Sequence, residues 1–271
     1  MRLHINNSTA WLSSFALAVA FFIVALTPLS TQAETPFQAS QQFIETGQTT
    51  EARRALESEL RIRPDNVEAR YNLAIILEQS GHQADAIALY KENLAIAWHL
   101  PSLVNLASAL KASGNTAKAQ QWLEKGTKNL RHEATPWYML AAISEQQNNI
   151  TKATAQYRKA LKVDPLNGFA YLHYAAFQSR HKLADHGLKH GDKATRLLPD
   201  CSPCWYKYGD ILRSSRMEQE ALTAYQRSLA IEPEKETRQR LVSTLRSLGY
   251  KQRADQMQRG LDMGSKDRTG K

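Results

Sequence analysis

The chain has 271 residues, of which 42 % are hydrophobic, and a formal net charge of +9 at pH 7. The ordinary hydrophobic content and the modest numbers of glycine (12) and proline (9) exclude a collagen-like chain and a broadly disordered one. The basic balance would suit acidic partners, but the lysines and arginines form no dense block and no recognition motif accompanies them, so we predict no nucleic-acid partner.

The first 33 residues have the order of an export signal. Arg2 supplies a positive start, residues 15–26 form an unbroken apolar run, and Pro28 follows it. Thr31 and Ala33 place small residues at positions −3 and −1 of a cleavage site after residue 33. The apolar run is shorter than the roughly 20 residues that span a bilayer, yet an uncleaved membrane anchor stays open. In both cases the rest of the chain is predicted to be periplasmic or secreted.

The sequence then repeats itself every 33 or 34 residues. A small residue recurs at steps of 34, 33, 34, 34 and 34, and a mostly larger residue follows it by four positions. The small positions are Ala52, Ala86, Ala119, Ala153, Gly187 and Ala221, and the positions four residues later are Leu56, Tyr90, Leu123, Tyr157, Gly191 and Tyr225. Pro165, Pro199 and Pro233 close three units at the same spacing. Such a period is typical of two-helix units that must stack, because one unit alone cannot bury its apolar face.

These positions resemble the tetratricopeptide repeat, whose pattern is W-x2-L-G-x2-Y, then A-x3-F, then P. The sixth unit carries the pattern most fully, at Trp205, Tyr208, Gly209, Leu212, Ala221, Tyr225 and Pro233. The resemblance implies an all-α fold, a right-handed superhelical solenoid of about six helix hairpins with a capping helix pair at its C-terminal end. The predicted divisions are a signal peptide or uncleaved anchor (1–33), the solenoid (34–263) and a disordered tail (264–271).

The resemblance also implies a partner-binding groove, lined by the first helix of each hairpin. An aromatic and aliphatic stripe occupies the fifth position of each unit, and charged residues lie farther along the same helices. The predicted groove residues are Phe37, Tyr71, Val104, Tyr138, Leu172 and Tyr206, with Glu78, Lys111, Glu145, Arg180 and Arg213 beside them. Such a surface suits an extended peptide or a partner helix. The alternative is that these side chains pack inside the superhelix and contact no ligand.

The only two cysteines, Cys201 and Cys204, lie where the fifth unit meets the sixth. Pro203 suits the first turn of a helix, so the pair is predicted at a helix N-terminus, where a thiolate is stabilised. For an exported protein the first interpretation is a structural disulfide. A reactive dithiol and one half of a metal site stay open.

The helix predicted before the cysteines carries two histidines and two glycines. His186 and His190 are one helical turn apart and would complete a metal site with the cysteine pair. Gly187 and Gly191 stand where other units have alanine and a large residue. They predict that the fifth unit is the least well packed of the array and its most flexible point.

The sequence contains no nucleophile elbow, phosphate-binding loop or zinc-protease motif, so no enzyme activity and no cofactor are predicted. The resemblance implies a non-catalytic interaction scaffold of the cell envelope whose partner is a protein. If the N-terminal segment is not cleaved, it would also associate the protein with the membrane. The alternative function is a redox- or metal-handling accessory protein that uses Cys201 and Cys204 with His186 and His190.

Overall fold

The computed structural model of the chain describes residues 35–181 and 184–266, with side chains described for 35–181 and 187–259. Fourteen helices and no strand occupy these residues. In chain order the helices are α1 (Pro36–Glu45), α2 (Thr49–Ile62), α3 (Val67–Gln79), α4 (Gln83–Ile96), α5 (Leu100–Ala112), α6 (Thr116–Asn129), α7 (Thr135–Gln146), α8 (Ile150–Val163), α9 (Gly168–Arg180), α10 (Ala184–Leu197), α11 (Ser202–Ser214), α12 (Glu218–Ile231), α13 (Lys235–Ser247) and α14 (Lys251–Lys266). The predicted signal lies outside the described residues, as do residues 267–271 of the predicted tail.

The helices pair in sequence into seven hairpins, from hairpin one (α1–α2) to hairpin seven (α13–α14). Every described helix pair in extensive contact belongs to one hairpin or to two consecutive hairpins. Helix α9 also packs against α7 and α11, the first helices of the neighbouring hairpins. The predicted all-α solenoid is therefore confirmed. None of the helices in the described part of the chain is both long enough and apolar enough to cross a bilayer.

Glycines form the turns of the first three hairpins. Gly47, Gly81 and Gly114 have φ angles of +73°, +83° and +78°, in the left-handed region that glycine adopts at little cost. The residue after each glycine donates its N–H to a carbonyl near the end of the preceding helix, as Gln48 does to Phe43 at 2.8 Å. This hydrogen bond satisfies a carbonyl that the helix end would leave unpaired. In hairpins four and six, Asn148 (φ 59°) and Arg216 (φ 62°) adopt the same conformation.

The repeated small and large residues form the core. The alanines of the ladder are fully buried, and the leucines and tyrosines four residues later are at most 1 % exposed. Full burial of a leucine such as Leu56 or Leu123 stabilises the fold by roughly 1.5–3 kcal/mol. The small residue lets two helices approach, and the large one fills the space beside it.

The two glycines of hairpin five lie in close contact with neighbouring residues. Helices α9 and α10 make the most extensive contact of any described helix pair. A Cβ atom added to Gly187 would lie 3.2 Å from the carbonyl oxygen of Ala175, and one added to Gly191 would lie 2.5 Å from the ring of Tyr208. Neighbouring atoms therefore occupy the space that larger side chains would need at these two positions, and the prediction that this unit is the most flexible point of the array stays a prediction.

Candidate partner-binding groove

Polar and aromatic contacts join consecutive first helices along the inner row of the solenoid, which we define as α3, α5, α7, α9, α11 and α13. The hydroxyl of Tyr71 accepts a hydrogen bond from Nδ2 of Asn105, 34 residues later, at 3.4 Å. The hydroxyl of Tyr206 accepts one from Nε of Arg240, also 34 residues later, at 3.1 Å. Side chains of consecutive first helices therefore support one another across the hairpins.

A charged cluster joins α7 to α9. Glu145 accepts hydrogen bonds from Nε and Nη2 of Arg180, each at 2.9 Å, and Nε2 of His181 lies 2.9 Å from the same carboxylate. Burial alone would raise the pKa of Glu145, but the hydrogen bonds and charges of Arg180 and His181 outweigh it, so the pKa is lowered. Two predicted groove residues, Glu145 and Arg180, are thus paired with each other.

A pocket of about 260 Å³ opens on α7 between its neighbours in the inner row; we call it the central pocket. Its lining residues are Val104 and Lys111 from α5, Tyr138, Met139 and Ala142 from α7, and His173 from α9. No side-chain hydrogen bond joins α5 to α7 within the described residues.

Small side chains leave the space for this pocket. The ninth position of the units that begin at residues 100, 134 and 168 holds Ser108, Ala142 and Ala176, whereas the flanking units hold Ile75 and Asp210. Of these three small residues, Ala142 lines the central pocket, and a larger side chain there would fill part of its space.

The ring of His173 forms one wall of the central pocket and stacks on Tyr138, with ring centroids 4.8 Å apart and planes 9° apart. Burial, and then the positive charges of Lys207, Arg180 and Lys111, lower the pKa of His173 to about 4. Burial likewise raises the pKa of Tyr138. Both rings are therefore neutral at neutral pH.

The side chains of Lys111 and Lys207 form no ion pair within the described residues. Lys111 lines the central pocket, and the charge of Lys207 acts on His173. The surroundings of the pocket are therefore positive, since the charge of Arg180 is matched by Glu145.

One predicted groove residue does not reach the groove. Leu172 is only 2 % exposed and packs with Ala194 and Cys204. Position five of the fifth unit is turned into the core, and the next residue, His173, lies at the pocket instead. The prediction for Leu172 is corrected on this ground, because a side chain buried between hairpins offers no surface to a partner.

The remaining predicted groove residues are held by contacts within the chain. Glu78 accepts a hydrogen bond from the hydroxyl of Tyr90 at 2.9 Å, and Arg213 donates one to the hydroxyl of Ser243 at 3.0 Å. Phe37 is half-buried against the N-terminal part of the core. Of the eleven predicted residues, the central pocket brings together Val104, Lys111 and Tyr138.

Cys201 and Cys204 lie at the N-terminus of α11, as predicted, with their sulfur atoms at bonding distance from each other in the structure. Sγ of Cys201 also accepts the backbone N–H of Cys204 at 3.2 Å and so caps the helix. Cys204 is fully buried.

The proposed metal ligands are only partly within the described residues. Nδ1 of His190 lies 2.7 Å from Oε1 of Gln178, and its ring stacks on Tyr174. The side chain of His186 lies outside the described residues. Among those that are described, no group of three or more His, Cys, Asp or Glu side chains is arranged to hold a metal ion.

Family models described as tetratricopeptide repeat match residues 37–101, 100–129, 134–165 and 202–235. A solved tetratricopeptide repeat protein from Parabacteroides merdae ATCC 43184 superposes with a TM-score of 0.60 at 18 % identity, covering 84 % of this chain and 91 % of that one. The APC/C hetero-tetramer Cut9–Hcn1 gives a TM-score of 0.60 at 15 % identity, and the match covers 78 % of this chain but 42 % of the other. No curated protein matches the sequence. At these identities the solved structures support the fold alone.

Proposed function

Because the chain belongs to the tetratricopeptide repeat family, we propose that it is a non-catalytic protein–protein interaction scaffold of the cell envelope that holds a peptide or a partner helix in its groove. The central pocket is the observation that carries this proposal. Val104, Tyr138 and Met139 are half-buried around it, so a partner side chain would cover apolar surface that the chain leaves open.

Two features support a place outside the cytoplasm. Residues 1–33 have the order of an export signal, and a bonded cysteine pair persists in an oxidising compartment. We expect protein isolated from its source cells under alkylating conditions to show no free thiol until a reductant is added, and to begin at Glu34. Free thiols before reduction, or a stoichiometric bound metal, would favour the redox- or metal-handling alternative.

The groove is tested by site-specific photo-crosslinking in the cells that naturally make the protein. A benzophenone amino acid replaces Ser108, which is exposed on α5 one helical turn after the pocket residue Val104, and in a matched variant it replaces Gln121, which is exposed on α6. We expect discrete protein adducts from position 108 and none of the same mass from position 121. An absence of adducts from position 108, or equal adducts from both, would contradict the groove as the binding surface.

A further inference from the structure

We propose that the central pocket takes one apolar side chain of an acidic peptide segment, whose carboxylates lie against Lys111 and Lys207. This inference rests on the proposed scaffold function and adds to it the chemistry of the partner. It follows from the size of the pocket, the charges around it and the composition of the rest of the chain.

The size of the pocket favours a side chain over a free small molecule. Small-molecule sites usually measure roughly 300–1,000 Å³ and enclose most of their ligand, whereas the central pocket measures about 260 Å³ and opens onto the groove. Val104, Met139 and Ala142 give it an apolar interior, and the neutral stacked rings of Tyr138 and His173 form one wall. An aliphatic or aromatic side chain would be buried there as the anchor of a longer segment.

The charges around the pocket favour an acidic segment over a basic one. Neither Lys111 nor Lys207 has a carboxylate partner within the described residues, and no acidic group is among those that act on His173. A peptide carboxylate near either ammonium group would gain an ion pair, whereas a peptide lysine there would be repelled. Lys111 lies on α5, which precedes α7 in the inner row, and Lys207 lies on α11, which packs against α9, so we expect acids on both sides of the anchor to be recognised.

The chain itself is a poor source of this segment. Residues 1–33 contain one arginine and no acidic residue, so they cannot supply the carboxylates. A second copy has more basic than acidic residues (35 Lys and Arg against 26 Asp and Glu over the whole sequence), so its charge does not favour association with this positive surface. The occupant is therefore a segment of a different, acidic protein.

The test begins with selection of random phage-displayed peptides of about a dozen residues on the immobilised full-length chain. We expect the selected peptides to share one aliphatic or aromatic residue with Asp or Glu within a few positions on either side. Synthetic fluorescein-labelled copies are then titrated with the full-length protein and followed by fluorescence anisotropy.

Three variants separate shape from charge. Filling the pocket with Ala142→Leu should weaken binding about thirtyfold, as loss of a buried anchor does. Lys111→Glu with Lys207→Glu should weaken it about tenfold and remove most of its salt dependence. The matched control, Lys118→Glu with Lys193→Glu, makes the same charge change at exposed positions of second helices and should leave binding unchanged. Should Ala142→Leu lower the melting temperature, Val104→Phe fills the pocket from α5.

The outcomes distinguish this inference from the proposed function. Peptides that lose binding on filling of the pocket, but lack acids and ignore the double lysine variant, would overturn the acidic partner and leave the scaffold standing. Failure to select any peptide, or equal binding to the filled variant, would overturn both. Sedimentation showing a wild-type dimer that Ala142→Leu dissociates would assign the pocket to a second copy and overturn the inference.

Discussion

In hairpin six the ring of Tyr225 on α12 lies across Gly209 on α11, whereas in hairpin five the position equivalent to Tyr225 is Gly191. The ring that lies across Gly191 belongs to Tyr208, on the first helix of the next hairpin. A side chain from inside the hairpin fills the space in one case, and a side chain from its neighbour fills it in the other. In both hairpins a tyrosine ring lies against a glycine. The comparison teaches that the tyrosine can come from the other helix of the same hairpin or from the first helix of the next hairpin.

The two rings differ in their freedom to move. Tyr225 is fully buried, and its hydroxyl donates a hydrogen bond to the carboxylate of Asp210 at 2.6 Å. Tyr208 is half-buried and lies at the joint between two hairpins. Adding a methyl group against the ring should therefore lower the free energy of unfolding more in hairpin six than in hairpin five.

The largest expected effect is that of Gly209→Ala. Its Cβ would lie 2.6 Å from the ring of Tyr225, which cannot yield without breaking its hydrogen bond, so we expect a loss of roughly 3 kcal/mol in the free energy of unfolding. Gly191→Ala makes the matched change against Tyr208 and should cost roughly 1 kcal/mol, since that ring can turn toward solvent. Urea denaturation measures both. Equal losses, or a larger loss for Gly191→Ala, would show that the two rings are equally fixed.

The sequence predicts both hairpins, but it does not predict which helix supplies the tyrosine ring that lies against each glycine. The spacing of the ladder fixes which faces of the helices meet, because a residue four positions after the small one always lies on the same face. Gly191 breaks the pattern within its own unit, and only the structure shows that Tyr208 replaces the missing side chain.

The repeat pattern was also insufficient to predict which residues line the central pocket. Val104 and Tyr138, at position five of α5 and α7, line the central pocket, and their role as partner-binding residues stays a prediction. In α9 the same position, Leu172, is buried, and His173 lines the pocket in its place. The repeat predicts which residues occupy equivalent positions, but which of them are buried and which meet in one pocket depends on how the hairpins stack.

The second prediction concerns position six, where hairpin five has His173 and hairpin six has Lys207. The pKa of His173 is lowered from 6.5 to about 4, so the folded state takes up its proton later than the unfolded state as the pH falls. Above pH 6.5 His173 is neutral in both states and does not change the free energy of unfolding with pH. As the pH falls from 6.5 to about 4, its burial lowers that free energy progressively. We expect the wild type to lose roughly 2 kcal/mol more over this interval than His173→Phe, which keeps the stacking but cannot titrate.

Urea denaturation at a series of pH values checks this difference. His132→Phe makes the same replacement at an exposed site between α6 and α7 and should keep the wild-type dependence. Identical pH profiles for the wild type and His173→Phe would contradict the prediction, because they would mean that His173 has the same pKa in the folded and unfolded states.

The third prediction concerns the cysteine pair that joins hairpin five to hairpin six. Replacing Cys201 by Ser and Cys204 by Ala removes the proposed disulfide but keeps an oxygen that can cap α11. Closing so short a loop contributes roughly 2 kcal/mol on the chain-entropy estimate, and we expect that loss in urea denaturation under oxidising conditions. Replacing both cysteines by Ala should cost roughly 1 kcal/mol more, because the cap is lost as well. If the first variant has the same free energy of unfolding as the oxidised wild type, the cysteine pair does not stabilise the connection between hairpins five and six.

The smallest effect concerns the turn of hairpin six, where Arg216 adopts a left-handed conformation with φ of 62°, as Gly47, Gly81 and Gly114 do in the first three hairpins. A side chain in this region costs free energy that glycine does not, although glycine also loses more conformational freedom on folding. We expect Arg216→Gly to raise the free energy of unfolding by roughly 0.5 kcal/mol. Ser215→Gly, one residue earlier at φ −91°, has no strain to relieve and should lower it. A loss of stability for both would mean that the turn of hairpin six carries no strain, and that the sequence of this turn departs from the glycine pattern without consequence.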